Sequence, residues 1–268
     1  MRPILLFAHN PGPMTGSGNN TYLLVPPGSA ATLIDAGVGE ARHLEEIDTA
    51  LTQTGASLER VLVTHGHRDH AAGAEAIAAA HPAAVFAKHP WPEEDAQFAV
   101  AWTRIDDNDT IAVGDQRLVA LATPGHSPDH IAFWHEATGA IFTGDLVVAG
   151  SSVMIHTSKG GNLKQYLASL ARLLALEPRV LYPAHGPTVT DPRTLLAGYL
   201  DHRRMRELQV IAALASGHRS VEAIADSIYH GLTPALMTAA HENVRAHLEK
   251  LVDERRVIAD DTGWELLS

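Results

Sequence analysis

The distribution of apolar and polar positions changes character once along the chain, near residue 200. Before that point, short apolar runs of strand length alternate with Ala/Leu-rich stretches of helical period, which is typical of an α/β fold. The runs 21–25 and 31–35 flank Pro26-Pro27-Gly28 and predict a hairpin. Further strands are predicted over 61–64, 84–87, 117–122, 131–134, 140–143 and 180–182. Helices are predicted over 71–80 and, where leucines recur at steps of four and three, over 163–174.

After residue 200 three helical patterns follow one another, over 200–216, 220–229 and 234–255, and a short hairpin over 257–259 and 264–266 closes the chain. Two helices, a longer helix and a β-wing, in that order, are typical of a winged helix-turn-helix. The third helix carries a stripe that is predicted to face a core, formed by Leu236, Ala240, Val244, Leu248 and Leu251. We therefore predict two domains, a catalytic domain over 1–200 and a winged-helix domain over 201–268.

Composition excludes several kinds of site. The chain has no cysteine, which rules out disulfides and cysteine–zinc sites. Its formal net charge of −11 means that nucleic acid or an anionic membrane would need a local basic patch. His9 interrupts the short apolar run at the N-terminus, and no stretch reaches the ~20 apolar residues needed to span a bilayer. We expect a cytoplasmic protein that acts on a small molecule and does not bind membranes.

The strongest chemical signal is the run THGHRDH at 64–70, which directly follows a predicted strand. In an extended chain, residues two apart face the same way, so His65 and His67 can grip one metal together, and Gly66 adds no bulk between them. Where the chain turns toward the next helix, Asp69 and His70 can face a second metal. Imidazole nitrogens with a carboxylate oxygen suit Zn²⁺ best, with Mn²⁺ and Fe²⁺ as alternatives.

Three later positions repeat one pattern, in which an apolar strand and a tight turn lead to a side chain that can bind metal. These positions are His126, Asp145 and His185. Each of them alone could be an ordinary turn residue. Ligands at the C-terminal tips of strands can converge at one end of a sheet, so their combination with the run at 64–70 favours a single shared site.

The strings H-x-H-x-D-H, P-G-H, G-D and P-A-H-G, in this order, resemble the metallo-β-lactamase superfamily, and Asp35 in LIDAG matches its first motif. The stretches 10–15, 20–23, 123–130 and 202–207 resemble the branch with a C-terminal winged helix, which includes the endoribonuclease lactamase-beta-like protein 2. The resemblance spans nearly the whole chain and implies an αββα sandwich followed by a winged helix. One departure is Ala184, where the family commonly has glycine, and this change need not disturb His185.

The resemblance also implies two divalent metal ions. It assigns the first to His65, His67 and His126, the second to Asp69, His70 and His185, and a bridging position to Asp145. A metal-bridging hydroxide would be the nucleophile, because two cations lower the pKa of bound water toward ~7. Asp69 is the implied catalytic residue, since it could also orient that hydroxide. Asp35 is expected to accept a hydrogen bond from a ligand imidazole or a backbone N–H.

Several polar residues near these strings keep two interpretations. Lys159 could meet an anionic substrate group or be a solvated loop lysine. His130 and His202 could serve the site or make structural hydrogen bonds, and Arg203 could reach the active-site rim. The other histidines singled out are expected at the surface or in turns, namely His9, His43, His81, His89, His135, His218, His230, His241 and His247.

Three functions compete on these observations. The leading one is hydrolysis of an ester, thioester, lactone or amide of a small molecule; the alternatives are cleavage of single-stranded RNA and nucleic-acid binding through the winged helix. Residues 201–268 hold eight Lys/Arg against eleven Asp/Glu, and residues 1–200 hold twelve against twenty. Such charge is a poor match for a phosphate backbone. We therefore expect the winged helix not to bind nucleic acid tightly, but to pack against the catalytic domain, shape one wall of the cleft or mediate homodimer formation.

Overall fold

A computed structural model describes residues 2–12, 15–27, 30–150 and 152–267. Gly28 of the predicted hairpin turn lies outside the described residues, as do Pro13 and Met14 in one of the stretches that carry the family resemblance. Within the described ranges, no helix is both long and apolar enough to cross a membrane.

The first sheet has six strands that lie side by side in the order of the sequence. They are β1 (Ile4–Phe7), β2 (Asn20–Leu24), β3 (Ala30–Ile34), β4 (Ser57–Leu62), β5 (Val85–Lys88) and β6 (Trp102–Arg104). Strands β1 to β3 are antiparallel neighbours, and β3 to β6 run parallel. The pairing of β2 with β3 confirms the predicted hairpin. Because β3 and β4 are parallel, Asp35 and Thr64, which follow them, lie at the same edge of the sheet.

The second sheet has five strands in the order β11-β10-β9-β8-β7. They are β7 (Thr110–Val113), β8 (Gln116–Ala122), β9 (Ile131–His135), β10 (Ala140–Gly144) and β11 (Val180–Pro183). Only β10 and β11 are parallel neighbours, but two antiparallel steps make β8 parallel to β10. The C-terminal ends of β8, β10 and β11 therefore share one edge, and His126, Asp145 and His185 follow these three ends.

Helices lie outside both sheets and in the C-terminal part of the chain. They are α1 (Ala41–Thr54), α2 (Arg68–Ala71), α3 (Ala74–Ala80), α4 (Pro92–Asp95), α5 (Leu163–Ala175), α6 (Pro192–Ala215), α7 (Val221–Ile228) and α8 (Pro234–Asp253), with a 3₁₀ turn at Thr157–Lys159. Ile47 and Ile77 pack α1 and α3 on the first sheet. Leu62 and Phe133 belong to the core between the sheets, and Leu170 to the core under α5 and α6. These layers confirm the predicted αββα sandwich.

The C-terminal part has a core of its own, to which Val210, Ile224 and Leu248 belong, and the hairpin β12 (Val257–Asp260) and β13 (Gly263–Leu266) completes the predicted winged helix. Helix α6 begins at Pro192, where Asp191 caps it by accepting from the backbone N–H of Thr194. It then runs unbroken through residue 200. The prediction of a helix beginning at residue 200 was wrong, and the division into 1–200 and 201–268 stays a prediction.

Five strands and helices escaped prediction, namely β1, β6, β7, α1 and α4, and one predicted helix is broken. In α1 the buried positions include His43, Ile47 and Leu51, so a histidine occupies the place where an apolar residue would complete the helical stripe. The predicted helix over 71–80 divides into α2 and α3, since the N–H of Gly73 leaves the helix to bond the carbonyl of Gly37. The break after α2 and the burial of His43 both involve contacts between segments that are distant in sequence, Gly73 with Gly37 and His43 with Thr21.

Candidate metal centre

The first cluster of candidate ligands consists of three imidazoles, those of His65, His67 and His126. Nδ1 of His67 lies 2.9 Å from Nε2 of His65 and 3.0 Å from Nε2 of His126. The carbonyl of Met154, 3.2 Å from Nδ1 of His126, orients that ring so that Nε2 faces the other two. Three ring nitrogens therefore converge on one point, the arrangement that a His₃ metal site requires.

His126 reaches this point because of the glycine before it. Gly125 has a φ of +130°, and a Cβ there would lie 2.2 Å from the backbone nitrogen of Tyr166 in α5. Only glycine tolerates both the backbone angle and the approach. The glycine of the P-G-H string thus allows the end of β8 to pack closely against a helix that begins nearly forty residues later.

The second cluster combines two imidazoles and two carboxylates, those of His70, His185, Asp69 and Asp145. Nε2 of His185 lies 3.4 Å from Oδ2 of Asp69 and 3.2 Å from Oδ1 of Asp145. Nε2 of His70 lies 3.5 Å and 3.3 Å from the same two oxygens. Asp69 and His70 come from the short helix α2, so the turn after β4 delivers ligands to both clusters.

Asp145 lies between the two clusters. Its Oδ1 faces His70 and His185, while its Oδ2 lies 3.6 Å from Nε2 of His126 in the first cluster. Oδ1 is buried and makes no hydrogen bond within the described part of the chain. A buried carboxylate oxygen without a donor is costly, and a cation held between the imidazoles would satisfy it. The seven residues expected at the site are thus brought together, and their donor atoms fit two divalent ions.

Electrostatics separates the two clusters. Burial, reinforced by the surrounding imidazoles, lowers the pKa of His65 and takes the pKa of His67 from 6.5 to about 3. Burial likewise lowers the pKa of His126. These three rings are therefore neutral at pH 7, and a neutral imidazole is the form that ligates metal.

In the second cluster the carboxylates dominate. Burial opposes the charge on His185, but the neighbouring carboxylates of Asp145 and Asp69 raise its pKa to about 9, and nearby carboxylates also raise the pKa of His70. The pKa values of Asp69 and Asp145 are held low by these imidazoles in spite of burial. The carboxylates favour positive charge in this cluster, so a divalent ion that binds there would replace the protons of the imidazolium groups.

Asp35 supports both clusters from behind. It accepts from the backbone N–H of Thr64 at 2.8 Å and from Nδ1 of His70 at 2.9 Å, the two kinds of donor expected of it. The bond to His70 places the proton on Nδ1 and leaves Nε2 free for a metal. Asp35 and His70 are both buried.

One residue at the site was missed by sequence reasoning. Asn19, fully buried, donates from Nδ2 to Oδ2 of Asp69 at 3.0 Å, and the same atom lies 3.3 Å from Nε2 of His70. It comes from the turn before β2, more than forty residues before the ligand run. Two asparagines after a glycine at 18–20 were the available signal, and they indicate only a turn.

Of the residues with two interpretations, His130 makes hydrogen bonds beside the ligand clusters, whereas His202 does not line the cleft. His130 is buried; it accepts from the backbone N–H of Asp145 at 3.2 Å, and its Nδ1 lies 2.8 Å from Oγ1 of Thr123. It therefore orients the turn that presents Asp145. His202 is exposed and is not among the residues that line the cleft.

Arg203 does not reach the rim, which was one possibility for it, because its side chain is 1% exposed. Its guanidinium donates to the carbonyl of Val153 and to Oδ1 of Asn243, and lies over the ring of Tyr166. It joins α6, α8 and the loop whose next carbonyl orients His126. Among the histidines expected at the surface, His43, His135 and His247 are buried.

The two clusters lie at a cleft of roughly 1250 Å³. Lys159 lines it, as do Arg68 and the acidic pair Glu93 and Glu94. Its wall from the winged helix is formed by Leu236, Ala239 and Asn243 of α8. Leu236, predicted in the core stripe, is instead 54% exposed, whereas the other four members of that stripe are buried. The winged helix is therefore part of the cleft.

Comparison with known proteins agrees with this geometry. The Metallo-beta-lactamase superfamily matches residues 14–185, and the Beta-lactamase associated winged helix domain matches residues 220–264. The Beta-lactamase-like protein 2 homolog of Caenorhabditis elegans is 29% identical over 254 residues, which cover 92% of this chain and 82% of the relative. The Atrochrysone carboxyl ACP thioesterase of Aspergillus fumigatus is 30% identical over 231 residues, which cover 84% of this chain and 69% of the relative. The fold is also that of a metallo-beta-lactamase family protein from Thermus thermophilus, with a TM-score of 0.78 at 22% identity and coverage of 99% of this chain and 98% of that one.

Proposed function

The chain belongs to the metallo-beta-lactamase superfamily, and from that premise we propose that it is a binuclear metal-dependent hydrolase of small esters, thioesters, lactones or amides. The observation that carries the proposal is the pair of ligand clusters that share Asp145 beside an open cleft. Zn²⁺ is the ion that this nitrogen-rich set favours, with Mn²⁺ and Fe²⁺ as alternatives. When bound, two such ions would supply an activated water at neutral pH and polarise the scissile group.

Asp69 is the chain's own candidate for handling the proton of that water. Its side chain is 27% exposed against 15% for Asp145, so it is the more accessible carboxylate of the second cluster. Asn19 and His185 hold its Oδ2 in place. A carboxylate that is fixed and open to the cleft can orient a nucleophilic water and accept its proton.

The lining of the cleft supports a small substrate over RNA. Its two cations, Arg68 and Lys159, are matched by Glu93 and Glu94. A polyanion needs several cations along its track, and this lining offers no excess of them. The α8 wall adds exposed apolar surface at Leu236, which suits the hydrocarbon part of an acyl group.

Thioesters are the first class to test, because two relatives are named as thioesterases. The experiment compares catalytic efficiency on thioesters, esters, lactones and single-stranded RNA at one pH and salt concentration. An Asp145→Ala protein controls for contaminating activity. Turnover of a carbonyl substrate that is lost in this variant supports the proposal. Cleavage of RNA that is lost in the variant, with every carbonyl substrate ignored, would replace it by the ribonuclease function.

The apolar wall can be tested separately. Leu236→Ser should raise the KM for a thioester with a long acyl chain several-fold and leave the KM for an acetyl thioester unchanged, because only the longer chain would reach α8. Val252→Ser is the matched control, since Val252 is an exposed apolar residue of the same helix that does not line this cleft.

A further inference from the structure

A buried lysine lies behind the metal centre. Lys88, the last residue of β5, is 1% exposed. Its Nζ lies 2.7 Å from the carbonyl of His89, 2.5 Å from Oδ1 of Asp95 and 3.0 Å from Oδ2 of Asp129. The three acceptors match the three N–H donors of an ammonium group. Taking a charge out of water carries a large desolvation cost, which is offset only by well-placed partners, so a buried lysine is unusual.

Asp129 connects that lysine to the ligand run. It is fully buried, and its Oδ2 also accepts from the backbone N–H of Gly66 at 2.7 Å. Gly66 stands between His65 and His67, and a Cβ there would lie 3.3 Å from both Oδ2 of Asp129 and Cβ of Glu94. The backbone between two ligands of the first cluster is therefore held by one carboxylate and packed without spare room.

The other carboxylate connects the lysine to the cleft wall. Oδ2 of Asp95 accepts from the backbone N–H of Trp91 at 2.9 Å. Trp91 lines the cleft, and its ring lies 6.4 Å from that of His67. One ammonium group thus ties the segment that forms the wall to the loop that presents the ligands.

We propose that Lys88 and Asp129 are positioning residues that fix the Gly66 backbone between His65 and His67 and couple it to the cleft wall at Trp91. This inference rests on the metal binding in the proposed function. Neither residue lines the cleft or belongs to the ligand clusters, so both act through the loop they hold. Their effect should appear first in metal affinity, because a metal site loses affinity when the groups that orient its ligands are removed.

The test is a competition between the purified full chain and a chromophoric chelator for Zn²⁺, alongside thermal unfolding of the chelator-treated protein. Asp129→Asn should weaken the binding of at least one Zn²⁺ by about 10- to 100-fold. The double variant Lys88→Met/Asp129→Asn removes the fully buried ion pair and leaves only Asp95, whose side chain is 17% exposed, without its cation. It should therefore melt higher than Asp129→Asn yet still bind Zn²⁺ more weakly than wild type. A purely structural role for the pair would lower the melting temperature and leave Zn²⁺ affinity unchanged.

Lys250→Met is the matched control, because Lys250 in α8 also bridges two carboxylates, those of Glu207 and Glu254. It should lower the melting temperature and leave Zn²⁺ affinity within twofold of wild type. A folded Asp129→Asn protein with wild-type affinity overturns the inference while the proposed function stands. Should that variant not fold, Asp95→Asn is measured instead, and wild-type affinity there overturns the inference. If the wild-type chain binds no metal, both the inference and the proposed function are refuted.

Discussion

The carboxylate of Asp35 lies 2.9 Å from Nδ1 of His70 and is held there by a backbone that L-residues rarely adopt. Asp35 has a φ of +62°, a left-handed conformation that costs of order 1–3 kcal/mol at a residue other than glycine. The same side chain accepts from Thr64, so one strained residue fixes both the start of the ligand run and the tautomer of His70. Strain of this kind persists where the surrounding structure imposes it.

Replacing Asp35 should therefore weaken the second metal more than the first. Asp35→Asn keeps the shape but weakens the acceptor for His70, and we expect a loss of about 10- to 100-fold in affinity for one of two Zn²⁺ ions, measured by chelator competition. Asp48→Asn, at a side chain that is 60% exposed, is the control. Equal affinities in Asp35→Asn and wild type would show that the Asp35–His70 bond has no part in metal binding.

Two metal ions should bind per chain. Seven ligand-type residues in two clusters exceed the four ligands of one tetrahedral ion. Elemental analysis after gentle purification should approach two equivalents, and Asp145→Ala should reduce it, since that residue faces both clusters. A stable value of one, unchanged by added Zn²⁺ or Mn²⁺, argues against the binuclear centre.

The change Asp69→Asn should reduce turnover by at least a hundredfold without unfolding the chain, because an amide is a poor ligand and cannot accept a proton. His9→Ala, which removes only a partly exposed contact with Glu46, should be silent in the same assay. Near-wild-type rates in Asp69→Asn would refute its assignment as ligand and base.

Stability should fall in mild acid through His43. Burial lowers the pKa of this ring from 6.5 to about 4, with Glu46 opposing and His9 adding to the shift. Between these two pH values the unfolded chain binds a proton that the folded chain excludes. This ring alone therefore lowers the free energy of unfolding by up to about 1.4 kcal/mol per pH unit as pH falls from 6.5 toward 4.

The measurement is urea unfolding of chelator-treated wild type and His43→Gln at pH 7.5 and pH 5. His43→Gln should be the less stable protein at pH 7.5, because the substitution disturbs the buried hydrogen bond between Oγ1 of Thr21 and Nε2 of His43. The difference between the two proteins should shrink at pH 5, where only wild type carries the penalty. A difference that stays constant would contradict the depressed pKa.

The winged helix should not bind nucleic acid tightly. Residues 201–268 carry more acids than bases, and α8 presents Glu249 and Asp253 on its exposed surface. Full-length Asp145→Ala protein, which cannot cleave its ligand, is mixed with duplex DNA or RNA at physiological salt. Binding weaker than micromolar is expected, whereas sub-micromolar binding with a steep salt dependence would restore the regulator hypothesis.

The ligand positions were predictable because each one follows a strand, and strand ends are local features. His126, Asp145 and His185 follow apolar runs that form strands as predicted, and parallel strand directions then bring the ends of these strands together. The winged helix was predictable for a similar reason, since most of its helices carry a regular apolar stripe. Leu236 departs from that stripe, because it lines the cleft and stays exposed there.

By itself, then, the sequence determined most of the strands and helices, the seven candidate ligands and the net acidity that argues against nucleic acid. Tertiary structure alone decided which polar side chains are buried. Asn19, Lys88 and Arg203 look like surface residues in the sequence, yet each is nearly inaccessible to solvent. A polar group can be buried only where partners satisfy it, and each of these three has at least one partner in a segment far away in the chain. No local pattern records such pairings, because they exist only once both sheets and the winged helix have packed.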